Sequence, residues 1–165
     1  LGAGRQAAAQ LEAFAAAMPL ETVAIWARRR EAAERLAARA RGWVAQVRVA
    51  ETPADAVAGA GIVSCATGAR HPLVRGSDVA AGTHVDLVGG FRPDMREGDD
   101  ALIARATVVA DCAAALAEAG DLVQPIAQGV LAADRVLLLG DILAGAPIPR
   151  AGDITLFKSV GHAAE

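Results

Sequence analysis

Short apolar runs that suit strands alternate along this chain with alanine-rich stretches that suit helices, and that alternation restricts the fold more than any other feature. The clearest run is Gly61–Thr67 (GIVSCAT), almost wholly apolar and of the kind expected in a strand buried on both faces. Thr22–Trp26, Gln46–Val49, His84–Gly89 and Thr107–Asp111 read as further strands. Helices are expected over Arg5–Met18, with Leu11, Phe14, Ala15 and Met18 on one face, and over Arg29–Arg41 and Pro53–Ala60. Pro19 ends the first, because the residue before a proline avoids the α region. Cys112–Ala119 reads as a helix closed by Gly120, and Gln128–Leu143 holds one more short helix. Four or five βα units in this order predict an α/β protein with a parallel sheet.

Composition narrows the function. The net charge of −3 excludes a general affinity for nucleic acid, since no basic face is evident. The longest stretch free of charged residues, Ala56–Ala69, has 14 residues. A membrane span needs about 18, so none is expected. Cys65 and Cys112 lie far apart without metal-ligand spacing, and His71, His84 and His162 show none either. Two reduced thiols fit a cytoplasmic protein. The apolar excess is mostly alanine, 42 of 165 residues, and small side chains let helices lie close against a sheet.

Gly2-Ala3-Gly4-Arg5-Gln6-Ala7 has the form G-x-G-x-x-A, which belongs between a strand and a helix. The first glycine permits the turn, the second lets the backbone approach a pyrophosphate, and the third small residue lets helix and strand pack. Free N–H groups and the dipole at the helix start favour the diphosphate. The helix follows; the strand does not precede, because only Leu1 stands before the glycines. The expected fold is therefore a doubly wound Rossmann-type sheet lacking its first, central strand, with residues 1–165 forming one nucleotide-binding domain of a longer polypeptide. An NAD site usually carries Asp or Glu at the end of the second strand, for the ribose 2′-OH. Here Ala27-Arg28-Arg29-Arg30 follows Trp26. A guanidinium is the natural partner of a 2′-phosphate, so Arg28 and Arg29 point to NADP(H) over NAD(H). The competing reading makes Arg29 and Arg30 a solvated first helical turn.

The joint order of GAGRQA (Gly2–Ala7), VAIWARR (Val23–Arg29), GIVSCAT, VGGFRPDMRE (Val88–Glu97), EAGDL (Glu118–Leu122), LGDILAG (Leu139–Gly145) and DITLFKSVG (Asp153–Gly161) resembles the ornithine cyclodeaminase/mu-crystallin family. The resemblance implies that this is the family's nucleotide-binding domain. A preceding segment would then supply the first strand, the homodimer surface and the cations that hold the substrate carboxylate, so no catalytic residue is named within this chain. The family's cyclodeaminases look to carry an acidic residue in the loop after Val-Gly-Gly. Phe91 stands there and cannot move a proton. The segment Arg92–Glu97 looks more like the branch of ketimine and pyrroline-2-carboxylate reductases, whose phosphorylated cofactor agrees with Arg28 and Arg29.

The expected cofactor residues are Gly2, Ala3, Gly4, Arg5, Gln6, Arg28, Arg29, Ala66, Thr67, Val88, Gly89, Val160 and Gly161. Ala66 and Thr67 close a strand on the adenine or ribose side; Val88 and Gly89 face the nicotinamide, and Val160 and Gly161 match the family's segment near that ring. Strand-end packing and a tight turn explain Ala66, Thr67 and the glycines equally well. Lys158 invites a catalytic reading that the family pattern does not require, and His162 is the one histidine placed as a possible proton donor. Glu118 and Asp121 flank Gly120 and suit capping and loop hydrogen bonds; Asp86, mid-strand, needs an unnamed partner. The leading expectation is an NADPH-dependent reductase of cyclic imino acids. The alternatives are an ornithine cyclodeaminase or amino acid dehydrogenase, a non-catalytic NADP-binding protein and, remotely, a methyltransferase.

Overall fold

The computed structural model of the protein describes residues 1–148 and 153–161. Helices α1 (Arg5–Ala17), α2 (Arg30–Ala40) and α3 (Pro53–Val57) alternate with strands β1 (Thr22–Ile25), β2 (Gln46–Val49) and β3 (Ile62–Cys65). After β4 (His84–Leu87) come α4 (Asp100–Arg105), β5 (Ala106–Ala110), α5 (Ala115–Glu118) and α6 (Gly120–Ala127). Strand β6 (Leu137–Leu138), helix α7 (Leu139–Leu143) and strand β7 (Ile154–Lys158) complete the order. All pairings between these strands are parallel, β1 with β2 in one sheet and β3-β4-β7-β5-β6 in the other. This is the expected α/β class with parallel sheets.

The helices form where the sequence offers a stripe of small apolar residues. In α2, Ala32, Ala33, Leu36, Ala37 and Ala40 are buried at helical spacing, and with Ala8 and Ile25 they make one apolar cluster. In α3, Thr52 caps the helix by accepting from the Asp55 N–H, and Pro53 occupies the first turn. The larger core lies on one face of the five-stranded sheet. There Val63, Cys65, Val85, Leu87, Val108 and Leu156 pack against helices α4 to α6.

Three readings are corrected. β3 is not buried on both faces: Val63 and Cys65 enter the core, but Ile62 is 36% exposed and Ser64 half-buried. Helix α1 lies against that outer face, where Ser64 Oγ meets Gln10, and leaves it partly covered. Gly120 does not close a helix; it begins α6, and it is glycine because a Cβ at this position would overlap the Met95 carbonyl oxygen. The segment 154–158, read only as a family motif, is a strand at the centre of its sheet.

No ladder joins β1 to β3 among the described residues. Leu1 and Gly2 bridge them instead. Gly2 N–H donates to the Trp26 carbonyl (2.8 Å), Ala66 N–H to the Leu1 carbonyl (2.9 Å), and the Leu1 amino group to the Ser64 carbonyl (2.6 Å). Between the two sheets lies a cavity of about 870 Å³, lined among others by Leu11, Phe14, Val23, Ile25 and Ile62. The apolar face expected of α1 therefore fronts this cavity, and Ala8 is its buried residue.

Candidate cofactor site

The loop Gly2–Gly4 opens α1. Gly2 has φ +100°, and a Cβ there would stand 2.5 Å from the Ala66 carbonyl oxygen, so both conformation and space demand glycine. Gly4 is the N-cap and supplies no side-chain acceptor, and no acidic residue stands in the first turn. The N–H groups that begin α1 are thus left to an outside anion. A Cβ on Gly4 would meet nothing within 4 Å. The loop, with Ala3, Arg5 and Gln6, is an open cradle at a positive helix end, and its chemistry fits a dinucleotide's diphosphate.

Arg28 and Arg29 lie exposed in the bend from β1 to α2, Arg29 as the α2 N-cap. Neither forms an ion pair among the described residues. Arg30 differs, pairing with Glu34 (3.0 Å) and Glu51 (2.7 Å). Two unpaired guanidiniums therefore stand beyond the β1 end, beside the loop that Gly2 ties to Trp26.

The remaining expected residues fall at the carboxyl ends of parallel strands, where an open α/β sheet places its ligand. Ala66 and Thr67 follow β3, Val88 and Gly89 follow β4, and Val160 and Gly161 follow β7. Two carboxylates lace these ends together. Asp111, after β5, accepts from the Ser159 hydroxyl (2.8 Å) and the Val160 N–H (2.9 Å) on one oxygen. The Cys112 N–H meets its other oxygen. Burial opposes the charge, but these bonds hold the Asp111 carboxyl below the usual range. Glu97, fully buried, accepts from Thr67 and from Gly89. Burial pushes its carboxyl up, against those bonds.

Beneath the Gly89-Gly90 turn lies an ion pair, Lys158 Nζ to Asp121 Oδ2 at 3.4 Å, both side chains fully buried. The same ammonium donates to the Leu87 carbonyl (3.1 Å). Asp121 Oδ1 accepts from the N–H groups of Glu97 (2.7 Å) and Gly98 (2.9 Å), the loop role expected of it. Lys158 is thus occupied inside the fold, and Glu118 is exposed. His162 lies outside the described residues. Burial pushes the Cys65 thiol up, so it is no nucleophile at neutral pH.

Sequence reasoning missed Glu97 and Asp111 as ties between strand ends. Their partners lie up to 49 residues away and are mostly backbone groups, which leave no side-chain pattern to read. Asp86 has its partner in Ser64 Oγ (3.3 Å), which also donates to Gln10 (2.9 Å), but Asp86 Oδ1 is buried without one. Burial raises the Asp86 carboxyl. A raised folded value favours the fold at acid pH and loses that contribution as pH rises through it. Asp86→Asn should therefore raise stability at pH 7 by about 1 kcal/mol. The gain should shrink as pH falls toward about 4, a trend that urea denaturation at several pH values would measure.

The sequence profile of the ornithine cyclodeaminase/mu-crystallin family matches residues 1–165. A Delta(1)-pyrroline-2-carboxylate reductase of Paracoccus denitrificans is 44% identical over 168 residues, covering 99% of this chain and 53% of that protein. Ketimine reductase mu-crystallin of Mus musculus is 37% identical over 166 residues, covering 100% of this chain and 50% of the relative. Among solved structures, the Delta(1)-pyrroline-2-carboxylate reductase of Thermococcus litoralis, in complex with NADH and L-proline, superposes with a TM-score of 0.89 at 31% identity. That match covers 97% of this chain and 51% of the other. The chain spans about half the length of the relatives it matches. With the profile matched from end to end and the fold shared, the chain belongs to the ornithine cyclodeaminase/mu-crystallin family.

Proposed function

We infer that this chain is the cofactor-binding part of an NADPH-dependent reductase of cyclic imino acids, of the Δ1-pyrroline-2-carboxylate or Δ1-piperideine-2-carboxylate type. The observation that carries the reading is the uncapped start of α1 over Gly2–Gly4, flanked by Arg28 and Arg29 without ion-pair partners. When bound, the nicotinamide supplies a hydride to the C=N carbon beside the substrate carboxylate, and the nitrogen takes a proton. The chain's own part is to hold the diphosphate on the α1 N–H groups, the 2′-phosphate on the two arginines, and the ring against the exits of β4 and β7. The relatives' names, and the NADH and proline held by one of them, support the substrate class.

Phe91, 51% exposed in the loop after Gly89-Gly90, has no group that could take a proton from an amino acid, which favours a reductase over a cyclodeaminase. The gap between β1 and β3 supports a further element of the proposal, a central strand from a preceding segment that also carries the carboxylate anchor and the homodimer surface. A cytoplasmic location belongs to the same proposal; among the described residues no helix is long and apolar enough to cross a membrane.

Full-length protein given NADPH and Δ1-pyrroline-2-carboxylate should oxidise the cofactor. Absence of turnover with both five- and six-membered imines would overturn the reading. Replacing Arg28 and Arg29 together by alanine should cost about 2–4 kcal/mol of NADPH binding, from the loss of charge-assisted bonds. NADH binding should stay as it was. An unchanged ratio of the two KM values would instead remove the phosphate-reading role.

A further inference from the structure

The Glu97 carboxylate divides its two oxygens between two strand exits. Oε1 accepts the Thr67 N–H and the Thr67 hydroxyl, each at 2.7 Å, at the end of β3. Oε2 accepts the Gly89 N–H at 2.7 Å, at the end of β4. The backbone of Glu97 is itself fixed. Its N–H donates to Asp121, and its carbonyl accepts from Leu73 N–H (2.8 Å) and Val74 N–H (2.9 Å). The side chain is completely buried, so a charge there comes at a cost in solvation that the three hydrogen bonds offset.

The donor set explains why an acid stands there. Of the three groups that converge, two are backbone N–H groups that can only donate, one facing each oxygen, so the site needs an acceptor on both sides. A glutamine could satisfy Thr67 with its carbonyl oxygen, but its amide would then face the Gly89 N–H, donor against donor. The consequence reaches the walls of the crevice. In a trans peptide the N–H and C=O point opposite ways. With the 66–67 and 88–89 peptides turned inward onto Glu97, the carbonyls of Ala66 and Val88 are turned to the other side. Ala66 oxygen is the atom against which Gly2 packs. Thr67 and Gly89 also meet directly, since a Cβ on Gly89 would overlap the Thr67 carbonyl.

We propose that Glu97 is a positioning residue for the dinucleotide: through Oε1 it sets the wall beside the adenosine half, and through Oε2 the wall beside the nicotinamide half. It does not touch the reacting atoms. The inference rests on the cofactor reading above, which places Thr67 and Gly89 on those two halves.

The test compares NADPH with 2′-phospho-ADP-ribose, which lacks only the nicotinamide, by calorimetric titration of the full-length protein. For Glu97→Gln, NADPH affinity should fall about tenfold, the loss of one buried hydrogen bond. Affinity for 2′-phospho-ADP-ribose should stay within about twofold. Thr67→Val removes the hydroxyl's bond to Oε1 and its weaker bond from the Ala69 N–H (3.3 Å) but leaves both backbone N–H bonds to Glu97, so it keeps the fold even if Glu97→Gln does not. It should weaken both ligands by the same factor. An equal loss of both ligands in Glu97→Gln, or no loss of either, would overturn the proposal, as would a loss confined to NADPH in Thr67→Val. If the unsubstituted protein bound neither ligand, the cofactor reading itself would fall, a result distinct from any change that appears only on substitution.

Discussion

Lys158→Met should lower the stability of the fold by about 3–5 kcal/mol, because it leaves the Asp121 carboxylate buried without its cation. For a chain of this size that corresponds to a fall in melting temperature of roughly 10 °C. Methionine keeps the length and apolar character of the lysine stem, so the loss reports charge and hydrogen bonding more than packing. Two interactions are removed together: the ion pair with Asp121 Oδ2 and the donor to the Leu87 carbonyl. The double variant Lys158→Met, Asp121→Asn separates them. An asparagine retains an oxygen for the N–H groups of Glu97 and Gly98 and no longer carries a charge that needs compensation. It should recover more than half of the loss, since the Leu87 carbonyl keeps the Ser159 N–H as a donor at 3.1 Å. Equal melting temperatures for Lys158→Met and the unsubstituted protein would show that the pair contributes nothing.

Gly89→Ala should be still less well tolerated in relation to its size. One added methyl would overlap the Thr67 carbonyl oxygen and press on Glu97. Both obstacles are rigid, one being backbone and the other a side chain held by three hydrogen bonds. Strand exits must separate or the turn must rotate, at a cost of about 3 kcal/mol or more. Gly4→Ala is the informative contrast. Its backbone, at φ −84°, accepts any residue, and the new Cβ meets nothing within 4 Å. It should fold with a melting temperature within a few degrees of the unsubstituted protein while losing NADPH affinity, since its methyl enters the cradle. Calorimetric unfolding and cofactor titration of the two variants would show the distinction: Gly89 serves the fold and the site, Gly4 the site alone.

Much of this was legible in the sequence for a physical reason. A glycine loop followed by a helix, and short apolar runs separated by alanine-rich helices, are local patterns; the observed β1, β2, β3 and β4 sit inside the runs that suggested them, and β5 is offset from its run by one residue. What escaped was set by distant packing. The run Ile154–Lys158 alternates cleanly in burial, yet it ends on a lysine, a residue that is almost never fully buried unless paired. Its pairing with Asp121 depends on a residue 37 positions earlier in the chain. Gly120 carried the usual mark of a helix end, but its small size answers to the carbonyls of the 92–95 turn, one of which, Arg92, accepts its N–H at 3.1 Å. Glu97 sat in plain view within a recognisable motif; the donors that give it a role belong to backbone groups at two other strand ends.

The position of β7 bears on how the protein is made. Strand β7, the last in sequence among the described residues, is the one inserted between β4 and β5. Until residue 158 has been synthesised, those two strands each present an open edge capable of pairing with another nascent chain. The five-stranded sheet cannot close piecemeal from the N-terminus. Its dominant pairings span the greatest sequence separations, which places it among slow-folding topologies. Sheet closure and burial of Lys158 then come together, and the interval before them is the one in which unpaired strand edges are open to misassembly.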